Sequence, residues 1–216
     1  MASSIALAPR MGTLWRRALT ALQGLDSHPQ SANLVLLGGW GVTRLLLVLG
    51  MVLGRHFCDP YFYKYAGEFA AGQWPYLNVP VEYPPLTMVL LLLPALPLLP
   101  FAAIAPRPDA AFVGTITQLP QPDIVRYSAY GLSFAVEMLL IDMLTLWLVR
   151  LAAKRFTRGD PRGLRAGLLY VVLIFLSGAL LQKFDLAAGT LVLVAVLALV
   201  SGRTRSAWLA LAAATL

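Results

Sequence analysis

Charge is what this chain has least of. Only 12% of its 216 residues are Asp, Glu, Lys or Arg, while 59% are hydrophobic and mean hydropathy is +0.73. A soluble domain of this length carries about twice that charged fraction. The composition therefore points to a helical integral membrane protein. Cysteine occurs once, at Cys58, which excludes an internal disulfide and a thiolate metal cluster. The two histidines, His28 and His56, are isolated, and no His, Cys or carboxylate set has the spacing of a zinc site. No Gly-rich phosphate loop and no nucleophile elbow is present, so ATP-driven and serine-hydrolase chemistries have no support. No metal or cofactor is expected. The net charge is +7, but the basic residues cluster at the ends of apolar runs. Cytoplasmic flanks of membrane helices carry them there, so membrane lipids are expected as partners and nucleic acid is not.

What is there is a series of apolar runs. Residues 32–54, 127–151, 166–181 and 186–200 read as membrane spans, and a further run from residue 207 stops at about half of the ~20 residues a span needs. That run predicts a protein continuing beyond Leu216. Residues 1–31 carry Arg10, Arg16 and Arg17 but no long apolar core or cleavage site, and read as a cytoplasmic lead-in rather than a signal peptide. Gly38, Gly39 and Gly41 in the first span suit close approach of another helix. The run 86–105 is long enough to span, but Pro94, Pro97, Pro100 and Pro106 interrupt it, and each removes a backbone hydrogen bond that lipid cannot replace.

Charge counting sets the topology. If 86–105 does not cross, one side holds eleven Lys or Arg: Arg10, Arg16, Arg17, the cluster from Arg150 to Arg165, Arg203 and Arg205. The other side holds five: Arg55, Lys64, Arg107, Arg126 and Lys183. If it crosses, the dense cluster falls outside and the positive-inside rule is inverted. The expected fold is thus an all-α, polytopic membrane protein with a cytoplasmic N-terminus. Its large first extracytoplasmic loop, 55–126, contains surface or re-entrant helix. Asp59, Glu82, Lys183 and Asp185 share that outer side.

Asp59-Pro60 followed by Tyr61–Ala71 and Gly72 reads as an N-cap, a first-turn proline, a short helix and a stop. Asp59 is either that cap alone or also a general base at the membrane surface, kept ionised by the positive helix end. Glu82, in Val-Glu-Tyr-Pro-Pro, is a solvated loop acid or a ligand for a sugar or acceptor hydroxyl. Tyr61, Tyr63, Tyr65, Trp74, Tyr76 and Tyr83 form an interfacial belt or a wall on which a sugar stacks. Lys183 is an interfacial anchor or the contact of an anionic head group, and Asp185 is a candidate for a polar ligand. Arg44, Glu137 and Asp142 lie within spans, where ionisable groups are usually paired. Arg44 and Glu137 each lie ten residues from the outer end of their span, about 15 Å deep, which predicts an Arg44–Glu137 ion pair.

These residues resemble the first outer loop of GT-C superfamily glycosyltransferases. The pieces are Asp59, Tyr63, Ala66, Gly72, Pro75-Tyr76 and Glu82-Tyr83-Pro84-Pro85-Leu86, with Asp142 in the next span and Lys183-Phe184-Asp185 opening a later one. The pattern is most similar to the polyprenyl-phosphate-mannose-dependent mannosyltransferases, glycosyltransferase family 87, over roughly residues 32–205. The resemblance implies hexosyl or mannosyl transfer, with inversion, from a polyprenyl-phosphate carrier to a lipid or glycan hydroxyl outside the cell membrane. Asp59 then serves as general base, Lys183 holds the phosphate, and Glu82, Tyr83 and Asp185 contact substrate. Position 61 is Tyr, where some members have Asp-x-Asp, and the later helices that complete both sites in that family are missing. The competing reading is a non-catalytic polytopic membrane protein, a transporter fragment or scaffold. Transport is weakened by the lack of an internal repeat.

Overall fold

The computed structural model describes residue 20 and residues 29–54, 57–101, 121–156, 163–178, 180–181 and 183–215. Most of the lead-in, the loop portion 102–120 with Arg107, and Arg55, Arg158 and Arg162 lie outside the described residues. Among the described residues the fold is all helical, with one isolated bridge, Pro75 to Val79, and no strand. The helices are α1 (Pro29–Gly54), α2 (Pro60–Ala70), α3 (Pro85–Leu92), α4 (Gln121–Phe156), α5 (Leu164–Ser177), α6 (Asp185–Val200) and α7 (Thr204–Thr215).

Two helical stretches, Gln30–Gly54 and Val125–Phe156, are long and apolar enough to cross a membrane. Both turn leucines outward. Leu34, Leu45 and Leu53 on α1, and Leu140 and Trp147 on α4, are exposed. The centre of the bundle is instead where the charge sits, for Arg44 and Asp142 are buried. This is the reverse of a soluble core, and contiguous exposed apolar surface of this kind needs a covering.

Chain order sets the packing. α1 and α4 run antiparallel: Arg150 near the end of α4 donates to Asn33 near the start of α1, at 2.7 Å. At the other end Phe57, just past α1, packs on Gly131 of α4. A Cβ on Gly131 would sit 2.3 Å from the Phe57 Cβ, so only glycine lets the two backbones come this close. Among the described residues a Cβ on Gly38, Gly39 or Gly41 meets nothing within 4 Å, so no described helix packs closely on them. The tight approaches fall instead at Gly131 and at Gly167, where α5 meets Leu36 of α1. α5 starts from Gly163 in the left-handed region, with its backbone on that of Arg150. α6 joins α4 through a hydroxyl pair, Thr145 to Thr190, at 2.5 Å.

The proline-rich run breaks as its prolines require. α3 stops at Leu92, and Leu93–Phe101 continues as 3-10 helix with Pro97 and Pro100 inside it. Prolines three residues apart suit a helix of three residues per turn, because each missing N–H then falls on one edge. This segment packs back on α4, where the Tyr130 hydroxyl donates to the Leu91 carbonyl at 2.6 Å. α5 has 14 residues, about 21 Å, and ends at Gly178 with φ of 65°, short of the span expected over 166–181.

The ion pair differs from the expected one. Arg44 pairs with Asp142, not Glu137: Nε to Oδ2 is 2.8 Å and Nη2 to Oδ1 is 2.9 Å. The expected depths were counted from Tyr127, yet the end of α1 is level with Gly131, where Phe57 packs. From that level Arg44 is 13 residues down (57 to 44) and Asp142 is 11 (131 to 142), while Glu137 is only six. Glu137 is also turned about 140° around the helix from Asp142. Its carboxylate oxygens are buried without a hydrogen-bond partner among the described residues.

Candidate functional site

The candidate site forms at the Phe57–Gly131 end, from two turns far apart in sequence. Asp59 takes extended backbone and its Oδ1 accepts the Tyr61 N–H at 3.1 Å, with Pro60 opening α2. The expected cap is therefore present. Lys64 and Glu68 pair one turn apart at 3.8 Å. The buried face of α2 is Phe62, Tyr63, Tyr65 and Ala66, while Tyr61 is exposed. Gly72, with φ of 80°, turns the chain away.

The loop then folds back on α2. The Tyr76 N–H donates to the Val79 carbonyl at 3.0 Å, and the Asn78 side chain accepts from the Trp74 N–H at 3.1 Å. Tyr76 has φ of 66°, a conformation that costs a bulky residue strain, and its hydroxyl is tied to the Tyr83 carbonyl. That link holds the returning chain so that the Tyr83 ring meets three others edge-on. Its centroid lies 6.0 Å from Phe62, 6.0 Å from Tyr65 and 5.4 Å from Phe184. Such edge contacts are each worth about 0.5–1.5 kcal/mol beyond area burial. Beneath lie Tyr127 and Tyr130 of α4, each against Tyr63, and the Tyr127 hydroxyl bonds the Cys58 carbonyl. This floor fixes the backbone on which Asp59 stands. Burial pushes the Cys58 thiol well above its ordinary range, which leaves it a poor nucleophile.

The second turn, before α6, delivers Lys183. Its Nζ lies 3.0 Å from Asp59 Oδ2, with the lysine side chain 49% exposed and the Asp59 side chain 22%. Hydrogen bonding to Asp59 raises the lysine above its ordinary value. Tyr83 senses the same pair: burial first, then the Asp59 charge, push its phenol up, and Lys183 opposes them. Phe184 anchors the turn by packing on Phe62 and Tyr83.

Of the sequence-derived site residues, the structure gathers Asp59, Lys183 and Tyr83 into one group. Glu82 and Asp185 lie at its rim as exposed acids, Glu82 acting electrostatically on Tyr83 and Asp185 on Lys183. Asp185 is in the first turn of α6, where negative charge suits the helix dipole whatever else it does. Sequence reasoning missed Phe62 and Phe184 as walls. Phe62 lies three residues before Tyr65, on one helix face with it, and Phe184 stands between two residues already singled out, so the signal was there. Among the described residues no group of three His, Cys, Asp or Glu is placed to hold a metal ion.

Below this end an apolar groove of about 460 Å³ runs between the end of α1 and the end of α5, lined by Leu46, Leu47, Gly50, Met51, Phe175, Gly178 and Leu181. Leu181, in its lining, is two residues before Lys183 in sequence. A half-exposed cation with a carboxylate beside it can pair an anionic head group with a proton acceptor. Compared with known proteins, the chain matches no family model, no curated protein and no solved structure.

Proposed function

We propose that this chain is a multi-pass glycosyltransferase of the cell membrane, with its N-terminus cytoplasmic and its site on the outer face. It moves a hexose, in the simplest case mannose, from a polyprenyl-phosphate carrier to a lipid or glycan hydroxyl. The observation that carries the reading is the Lys183–Asp59 contact of 3.0 Å at the aromatic end of the bundle. Two long apolar helices and basic residues gathered at the Arg150 end support the topology. In this reading Lys183 pairs with the carrier phosphate and the groove takes the first part of the polyprenyl chain. Tyr83 and the exposed Trp74 and Tyr76 offer faces to the sugar, and Glu82 and Asp185 accept hydrogen bonds from its hydroxyls. The acceptor oxygen bonds to the anomeric carbon as the bond from that carbon to the phosphate oxygen breaks. The acceptor proton passes to Asp59 Oδ2, and polyprenyl phosphate leaves with the electron pair. Attack on the face opposite the leaving group inverts the centre.

Sugar transfer from a labelled polyprenyl-phosphate hexose, in membranes holding equal amounts of native protein and Asp59→Asn, tests the reading. Asn preserves the cap and removes the base together with the charge facing Lys183, so transfer is compared at saturating donor. The expected fall is about 10²–10⁴-fold. Equal turnover would refute the role of Asp59, and a scaffold would show no transfer that depends on it.

A further inference from the structure

We infer that Lys183 is a lock on Asp59 that the carrier phosphate opens: phosphate and Asp59 compete for one ammonium group. The inference rests on the polyprenyl-phosphate reading of this site. Both carboxylate oxygens of Asp59 are engaged in the structure, Oδ1 by the Tyr61 N–H and Oδ2 by Lys183. Taking a proton on Oδ1 breaks the cap of α2, so Oδ2 is the oxygen free to act, and Lys183 stands on it. The two partners are unequal in mobility. Asp59 is fixed by the first turn of a helix whose buried face packs among aromatic rings. Lys183 is half exposed, on a long flexible stem, in a turn anchored by its neighbour Phe184. The lysine is therefore the group that moves.

The phosphate of the loaded donor is a diester with one negative charge, equal to that of a carboxylate, and with two free oxygens it competes with Oδ2 for the ammonium. A carboxylate relieved of a neighbouring cation is a stronger proton acceptor. Donor binding thus switches on the base, and an empty site keeps it blocked. The other groups acting on Lys183, Tyr83 and Asp185, carry no positive charge with which to replace it on Oδ2.

The test is binding of geranylgeranyl monophosphate to the purified chain in detergent, for native protein, Asp59→Asn, Lys183→Gln and the double variant. Competition predicts that Asp59→Asn binds roughly two- to fivefold tighter, the scale of a partly exposed ion pair. Lys183→Gln binds more weakly, and Asp59→Asn brings no gain in the Lys183→Gln background. An equal gain in both backgrounds would mean simple repulsion between Asp59 and phosphate, and the lock would be wrong. No gain in either background also overturns it. If no variant, native included, binds the probe, the carrier reading itself falls and the lock with it.

Discussion

Asp142→Asn is the sharpest perturbation of the bundle, because the change is isosteric and its consequence is set by partners already in place. Asp142 accepts from Trp40 Nε1 at 2.5 Å, from Arg44 Nε at 2.8 Å and Nη2 at 2.9 Å, and from the Tyr170 hydroxyl at 2.6 Å. It thereby joins α1, α4 and α5. The Asn amide turns one acceptor into a donor, so at least one of these donors is left facing another donor. It also leaves Arg44, 2% exposed, without its countercharge. The remaining acceptors for Arg44 are neutral, the Val171 carbonyl at 3.1 Å and the Thr43 hydroxyl at 3.0 Å. Polar contacts between membrane helices average only about 0.6 kcal/mol, which would put four of them near 2 kcal/mol. An unpaired buried charge costs about 3–5 kcal/mol, and that larger effect decides. Asp142→Asn should lower the melting temperature in detergent by roughly 10 °C, taking about 2–4 °C per kcal/mol for a chain of this size. Glu137→Gln, which neutralises a carboxylate whose buried oxygens lack partners, should leave stability unchanged or raise it. If Glu137→Gln proves the more damaging of the two, Arg44 pairs with Glu137 after all and the helix register derived from Gly131 is wrong.

Gly131→Val should cost about 1–3 kcal/mol in thermal unfolding through collision with Phe57, while Gly38→Ala, which meets open space, should be neutral or gain up to about 1 kcal/mol in helix propensity. The Lys183 bridge predicts a pH effect whose sign follows from its raised value. Its stability contribution is whole below the ordinary lysine value of 10.5 and is lost as pH rises through the higher folded value, so Lys183→Met should flatten the alkaline limb of melting temperature against pH. For topology, Cys58 is buried and should stay silent to maleimide. A membrane-impermeant maleimide applied outside cells should label Gln73→Cys and spare Lys154→Cys; the opposite pattern would invert the orientation.

The short elements were legible because their signals are local. Asp59, Pro60 and Gly72 mark the start and stop of α2 by capping and backbone rules that act within one turn. Pro94 ends α3 by removing a donor, and Pro97 and Pro100 keep the following segment from resuming an α-helix, whatever packs around them. The all-helical character followed from composition and from apolar runs. What failed was register. The glycines of α1 and Gly131 of α4 read alike in sequence, yet of these only Gly131 meets a close neighbour, the Phe57 side chain, because α4 runs 36 residues and extends past the end of α1. The same overshoot moved the partner of Arg44 from Glu137 to Asp142, and brought in Trp40 and Tyr170, which nothing local marks as ligands of a carboxylate.

Sequence by itself determined that this chain is helical, poor in charge and basic at one end of its bundle, and that Asp59 caps a helix beside a loop rich in aromatic rings. Those properties depend on neighbours a few residues away. Only the tertiary structure decided which charges meet. Lys183 reaches Asp59 across 124 residues, and Arg44 reaches Asp142 across 98. Contacts at such separation are fixed by where antiparallel helices come level, and that level is set by side-chain volume at one close approach, Phe57 on Gly131.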